Sequence, residues 1–369
     1  MSADPLAGLV LAGFDGTRAD DDTVRALVEL GVGGFILFGR NIESPQQVHS
    51  LLSGIREACG DRPVFFAVDQ EGGRVARLRK PLTVWPTMAR LGETGDPTLA
   101  RRLGLALASE IGALGFNLVF APVLDLRVEG TTDAIGDRSL GGNAELVCSL
   151  GTALIEGIQA AGLLACGKHF PGHGPVAVDS HVDLPVCRLQ QETLMSEHVR
   201  PFATAARAGV GAIMSAHVRY PEVDSQEPAT VSRTWLTEIL RKKLAFDGLI
   251  LTDDLEMGAV TSSEDVGPAA VRAVGAGADG VLICHGLAQI REAVQHLRTA
   301  AEQDVDFLAA CVTGLARLQK AAGTHPPQPV PIGELEDHIG RTAHQQLAAQ
   351  LNEDSQPAGL DPTEASSSA

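Results

Sequence analysis

The sequence predicts an α/β fold, a single-domain (β/α)8 TIM-type barrel with a short C-terminal extension. Eight short apolar runs alternate with amphipathic stretches of helical period as far as residue 320, the mark of a parallel sheet with crossover helices. Eight is also the number of parallel strands that closes such a barrel. Polar residues gather just beyond the ends of these runs, on the face where barrels carry their active sites.

In chain order the runs are LAGLVLAGF (6–14), GGFILFG (33–39), VFFAVD (64–69), NLVFAPVLDL (117–126), LLACGKHF (163–170), GAIMSAH (211–217), GLILTDD (248–254) and GVLICHG (280–286). A doubly wound open sheet is the alternative, but no GxGxxG or phosphate-binding loop opens any helix. Past the ends of the runs stand Asp69-Gln70-Glu71, Asp125, Lys168-His169, His217, Asp253-Asp254 and His285. Strand ends hold such side chains rigidly, and the same bias at six strands is hard to attribute to packing. Residues 1–324 are assigned to the barrel. In residues 325–369, THPPQPVPIG reads as a linker, ELEDHIGRTAHQQLAAQLN as one amphipathic helix, and the remainder as a disordered tail.

A chain of 369 residues accommodates such a barrel without a second domain. Its net charge of −17 argues against nucleic acid or an anionic membrane as partner. No run approaches the eighteen apolar residues of a membrane span, and the opening MSADPLAGLVLAGFDG has no basic region ahead of its short apolar stretch. Six cysteines (Cys59, Cys148, Cys166, Cys187, Cys284, Cys311) form no CxxC pair, as expected of buried reduced thiols in a cytoplasmic protein. With one Tyr, two Trp and eleven Phe, the chain has few aromatic platforms for a long polysaccharide. A small soluble substrate, a monomer and no cofactor are expected.

Three constellations carry the chemistry. In GKHFPGHGPVAVDSHVDLP (167–185), Lys168, His169, His173, Asp179 and His181 share a loop punctuated by Gly and Pro. These residues could serve as metal ligands, as a proton-transfer and binding site, or simply as a solvated loop. The H-x3-H-x7-H spacing on a loop, with the Lys168 cation beside it, disfavours a metal. In the Asp-x-His pair, Asp179 can orient the His181 imidazole and raise its basicity. In LILTDDLEMGAV (249–260), Asp253 closes an apolar strand and reaches into the barrel mouth, while Asp254 caps the helix that follows. In VDQEGGRVARL (68–78) a glycine pair permits a sharp turn, and Asp69, Arg74 and Arg77 offer an acceptor and fork-shaped donors suited to sugar hydroxyls. Arg138 in AIGDRSL is a further donor.

The motifs DQEGGRV, FAPVLD, IGDRS, GKHFPGHG, VDSH, SAHV and TDDLEM, in order and spacing, resemble glycoside hydrolase family 3. The resemblance spans about residues 6 to 290 and is to its short, single-domain bacterial β-N-acetylglucosaminidases. It implies Asp253 as nucleophile and His181 as general acid/base paired with Asp179. It further implies that Asp69, Arg77, Arg138, Lys168 and His169 bind the N-acetylglucosamine unit, without a metal. The implied reaction is retaining removal of terminal N-acetylglucosamine from muropeptide fragments, including N-acetylglucosaminyl-1,6-anhydro-N-acetylmuramic acid, in peptidoglycan recycling. An imidazole with an ordinary pKa of about 6.5 suits the acid/base task near neutral pH. The rival readings are a phosphorylase using the same site and a sugar-binding protein without catalysis. LEMGAV departs from the common LSMEGA pattern, so Glu256 and Met257 are given no role. Asp125, His217 and Glu256 are the alternative acids should His181 not serve.

Overall fold

All eight apolar runs contribute a parallel strand, and the strands close a barrel in the computed structural model, which describes residues 4–128, 134–176, 184–261 and 264–352. They are β1 (Val10–Gly13), β2 (Gly34–Leu37), β3 (Phe65–Val68), β4 (Leu118–Val119), β5 (Leu164–Phe170), β6 (Ala212–Ser215), β7 (Leu249–Asp254) and β8 (Gly280–Ile283). Each pairs with the next, and β8 returns to β1 through Val10↔Val281, Leu11↔Leu282 and Ala12↔Ile283. All eight strands are shorter than their runs, and two of them, β1 and β4, by more than half. Pro5–Leu9 turns as a 3-10 helix, capped by Asp4 accepting from the Leu6 amide at 3.0 Å, so β1 starts only at Val10. β4 stops before Pro122, which has no N–H for a ladder.

A helix follows each strand: α1 (Asp22–Leu30), α2 (Pro45–Cys59), α3 (Pro97–Leu114), α4 (Ala144–Ala160), α5 (Arg200–Arg207), α6 (Thr234–Lys243, with π-type hydrogen bonding), α7 (Val266–Ala276) and α8 (Leu287–Gln303). Their starts are set chemically. Asp96 accepts from the amides of Thr98 and Leu99 with Pro97 at the first position of α3, and Asn143 does the same for Glu145 and Leu146 in α4. The strands are buried throughout apart from the last two residues of β7, the adjacent aspartates. Phe14, Phe35 and Phe66 pack ring to ring, with centroids 6.1 and 5.9 Å apart. Each such side chain contributes about 1.5–3 kcal/mol by leaving water, which makes the barrel a filled core that holds its rim firmly.

The C-terminal extension departs from expectation. A further helix, α9 (Val305–Thr324), is followed by the segment read as a linker, which is pinned to the barrel: His49 Nε2 lies 2.7 Å from the Val330 carbonyl, and the Val330 amide donates to Ala113 O at 3.1 Å. The single helix expected beyond it is two pieces, Leu335–His338 and α10 (Thr342–Asn352). Gly340 breaks them with φ +58°, and a Cβ there would lie 2.1 Å from Pro81 O. Leu335, Ile339 and Leu347 bury the inner face. His344 Nδ1 meets Glu110 Oε1 at 2.7 Å, and Glu110 also accepts from the Thr83 amide and hydroxyl. The extension thus braces the segment that runs out of the β3 loop. The expected tail from residue 353 onward lies outside the described residues.

Candidate active site

Beyond the C-terminal ends of the strands lies a cavity of about 780 Å³, its open mouth included. Asp69, Arg138, Lys168, His169 and Asp253 all line it, so five of the expected site residues converge from β3, β5, β7 and the loop after β4. His181 and Asp179 lie outside the described residues.

The β3 side is built first by a turn. Asp69 follows β3, and Gln70–Gly72 pairs antiparallel with Val75–Ala76. Gly72 and Gly73 take φ of +113° and +58°, the sharp reversal the glycine pair suggested. Gln70 fastens the turn by bonding both the amide and the carbonyl of Leu78, at 3.0 and 2.8 Å. Alternate residues of an extended segment share a face, so Asp69 and Glu71 project together. Between them lies Lys168 Nζ, 2.7 Å from Asp69 Oδ1 and 2.6 Å from Glu71 Oε1. Arg138 then grips Glu71 with two parallel bonds, at 2.9 and 2.8 Å, and donates to Ala134 O at 2.8 Å. Burial acts to raise the Glu71 pKa, but the charges and hydrogen bonds of Arg138 and Lys168 outweigh it and hold the carboxyl far below its usual range. Lys168 is likewise held cationic: burial pulls it down, and Asp69 and Glu71 more than reverse that.

Two of the expected sugar ligands have their own partners within the protein. Arg77 does not line the cavity: its side chain is 1% exposed, and its Nη2 reaches Asp69 Oδ2 at 3.4 Å from behind. Close packing over Phe38, 5.6 Å from the ring centre, keeps it there. Arg138 lines the cavity, but its fork is committed to Glu71. Sequence reasoning left out Glu71 as a site residue, although its i+2 spacing from Asp69 was the available signal.

On the β5 side Asp125 is fully buried. Its carboxylate accepts from the His169 amide at 3.0 Å, the His173 amide at 2.6 Å, and pairs with His169 Nδ1 at 2.7 Å. Burial opposes the charged form, but His169 and His173 override it and lower the Asp125 pKa. A carboxylate only accepts, so Nδ1 carries the proton. The Nε2 of His169 is thereby turned toward Asp253 Oδ2, 4.0 Å away. The peptide between Lys168 and His169 is cis.

The β7–β8 side is acidic. Asp253 Oδ1 accepts from the Asp254 amide at 2.8 Å. Asp254 accepts from the Glu256 amide at 3.1 Å but caps a turn, since the next helix, Gly258–Thr261, begins later. Its carboxyl also faces the cavity, with Oδ2 3.5 Å from His285 Nε2. Burial, then the charges of Glu256 and Asp253, push Asp254 well above its ordinary pKa. Glu256, where the motif departs from the family pattern, turns away from the cavity and accepts from the His285 amide at 2.6 Å. Met257 lines the cavity beside it, and His285 stacks on Phe38 with ring centres 6.0 Å apart. Of the alternative acids, His217 has both ring nitrogens engaged, by Thr230 Oγ1 and Asp254 O at 2.8 Å each.

A converging set of carboxylates, cations and imidazoles at a barrel mouth fits a hydrolase of polar, hydroxyl-rich substrates, and comparison with known proteins narrows this. The glycosyl hydrolase family 3 N-terminal domain matches residues 6–349, and the chain belongs to that family. A β-hexosaminidase of Thiobacillus denitrificans is 41% identical over 317 residues, covering 84% of this chain and 86% of that one. Among solved structures, a family 3 β-N-acetylglucosaminidase from Paenibacillus sp. str. FPU-7 superimposes with a TM-score of 0.88 at 36% identity, covering 98% of this chain and 72% of that one. Native NagZ from Neisseria gonorrhoeae superimposes with a TM-score of 0.80 at 32% identity, covering 94% and 98%. The chain is a glycoside hydrolase of the β-hexosaminidase type.

Proposed function

We propose that this enzyme is a retaining exo-β-N-acetylglucosaminidase that releases terminal N-acetylglucosamine from muropeptide fragments, the N-acetylglucosaminyl-1,6-anhydro-N-acetylmuramic acid unit with or without its peptide. The observation that carries this is Asp253: a carboxylate at the end of β7, inside the cavity, across from a wall of fixed hydrogen-bonding groups. A retaining glycosidase needs a nucleophile on one face of the anomeric carbon and an acid at the glycosidic oxygen. Asp253 attacks to form a glycosyl-enzyme. His181, oriented by Asp179, protonates the leaving oxygen and then takes a proton from water. Asp69, Arg77, Arg138, Lys168 and His169 form the sugar-binding set, with Arg138 acting through its hold on Glu71 and Arg77 through Asp69. The muropeptide and its place in peptidoglycan recycling rest on likeness to the short, single-domain relatives. No helix among the described residues is long and apolar enough to cross a membrane, and a cytoplasmic site of action is part of the same proposal. So is a barrel domain closed by the extension from residue 325.

The test is leaving-group dependence. A nitrophenolate departs without protonation, whereas a sugar alkoxide does not. His181→Ala should therefore slow the disaccharide far more than the nitrophenyl glycoside, accumulate glycosyl-enzyme on the activated substrate, and be partly rescued by azide. Equal slowing of both substrates with no azide rescue would remove His181 from the mechanism. Running the wild type in phosphate and in a non-nucleophilic buffer separates hydrolysis from phosphorolysis by product: free sugar in both, or sugar phosphate in the first.

A further inference from the structure

We infer that His217 is the positioning residue of the nucleophile, supplying from a side chain the hydrogen bonding that β6 no longer gives β7 at Asp253–Asp254. The ladder between β6 and β7 runs through Ala212↔Leu249, Ile213↔Ile250, Met214↔Leu251 and Ser215↔Thr252, and ends there. On the other flank, the register between β7 and β8 shifts between Gly280 and Leu282, the latter opposite Asp254. The nucleophile thus follows the last regular rung on one side and sits beside an irregular one on the other. A strand end in that condition frays unless another group takes up its polar atoms.

His217 fills that place. Two residues beyond the end of β6, its imidazole is 2% exposed, and Nε2 lies 2.8 Å from the Asp254 carbonyl. A carbonyl only accepts, so Nε2 carries the proton. Nδ1 lies 2.8 Å from Thr230 Oγ1, which also receives the Ser215 hydroxyl at 3.0 Å and lies 3.0 Å from Ala216 O. The Asp254 carbonyl sets the proton on Nε2, and the Ser215 and Thr230 hydroxyls hold the ring from behind. Fixing the Asp254 carbonyl fixes the backbone at Asp254, whose amide donates to Asp253 Oδ1 at 2.8 Å. The chain of contacts therefore runs from β6 through His217 to the nucleophile's carboxylate. Its effect is to hold one oxygen of Asp253 on an N–H donor, favour the ionised form, and aim the other oxygen into the cavity. The sugar-gripping residues stand on the opposite side and do not depend on it.

This deepens the assignment of Asp253 as nucleophile and rests on it, so Asp253→Asn is measured alongside. The experiment compares kcat, KM and the pH profile of kcat/KM on a nitrophenyl N-acetylglucosaminide for the full-length wild type, H217A, H217Q and T230V. A misplaced nucleophile costs on the order of 10²-fold in rate. H217A is therefore expected to lose about that much kcat with KM nearly unchanged, and the acidic limb of its profile to move to higher pH. H217Q, whose amide N–H can occupy the Nε2 position, should recover most of the loss, and T230V should show a milder version of both effects. Where alanine at this buried position does not fold, H217Q and T230V decide the matter by the same two readouts. An unchanged acidic limb with unchanged kcat overturns the proposal, as does a rise in KM at constant kcat, which would make His217 a sugar ligand. If D253N keeps substantial turnover, the nucleophile assignment itself fails. If D253N is inactive while H217A and T230V match the wild type, only the positioning role fails.

Discussion

The two sides of the cavity are made of the same residue types and are electrostatically opposite. On the β3–β5 side every buried carboxylate has a cation or an imidazole against it: Glu71 has Arg138 and Lys168, Asp69 has Lys168 and Arg77, and Asp125 has His169. Glu71 and Asp125 lie below the usual carboxylate range. On the β7–β8 side Asp253, Asp254 and Glu256 fall within four residues and their imidazole neighbours stand farther off, His169 4.0 Å from Asp253 and His285 3.5 Å from Asp254. Burial raises Asp254 and Glu256, and the charges of Glu256 and Asp253 add to the rise at Asp254. A sugar ring needs fixed donors and acceptors, which paired charges provide without moving. A nucleophile needs an available lone pair, and a locked ion pair would withhold it. The contrast separates holding from reacting.

The largest effect should come from the acidic side and discriminate between neighbours. Asp253→Asn removes the covalent path and is expected to lower turnover of a nitrophenyl N-acetylglucosaminide by on the order of 10⁴-fold or more, with the fold intact. Asp254→Asn puts a neutral isostere where burial already opposes the charged form, and should leave most of the activity. A severe loss at 254 with a mild one at 253 would put the nucleophile one residue later and undo the contrast.

Stability should show the reverse bias. Glu71→Gln leaves Arg138 and Lys168 buried with one counter-charge fewer, a change expected to cost about 3–5 kcal/mol. Glu256→Gln keeps an acceptor for the His285 amide and removes a charge the site disfavours, so about 1 kcal/mol or less is expected. Denaturant unfolding of the two variants measures the difference. Equal costs would mean that the pairing around Glu71 contributes no more than an ordinary hydrogen bond.

Much of this was readable from the chain. The eight runs are apolar because strands covered on both faces must be, and so the barrel was visible from periodicity alone. Asp69, Lys168, His169 and Asp253 were visible because each stands directly after an apolar stretch. What escaped depended on partners far apart in sequence. Glu71 looked like one polar residue of a turn, and only the return of Arg138, 67 positions later, makes it the anchor of a wall. Arg77 carries the right chemistry for a sugar, but its placement behind Asp69 is decided by how the hairpin folds back. The break at Gly340 was likewise hidden, since the amphipathic pattern runs on across it and the obstacle is the Pro81 carbonyl.

The smallest effect is also the one that tests the contrast as a whole, through the pH dependence of stability. Glu71 and Asp125 have folded pKa values below their ordinary 4.5 and 3.8. Between those folded and unfolded values the unfolded chain binds more protons, so their contribution is present above about pH 4.5 and drains away as pH falls. Asp254 and Glu256 have folded values above their ordinary 3.8 and 4.5. For them the native state binds more protons, so stability is highest below the ordinary carboxylate range and is lost as pH rises toward their folded values. Each group changes stability by at most about 1.4 kcal/mol per pH unit inside its own window, which is a few degrees in melting temperature for a protein of this size. Melting curves of the wild type, Glu71→Gln and the Asp254→Asn/Glu256→Gln double variant from pH 3.5 to 8.5 separate the two sides. The penalty of Glu71→Gln relative to wild type should shrink as the buffer is acidified below pH 4.5. The double variant should gain on the wild type as pH rises, because it has removed the two groups that resist ionising. If both variants track the wild type at a constant offset, the two sides titrate alike, and the division of the cavity into a locked wall and a reactive one is wrong.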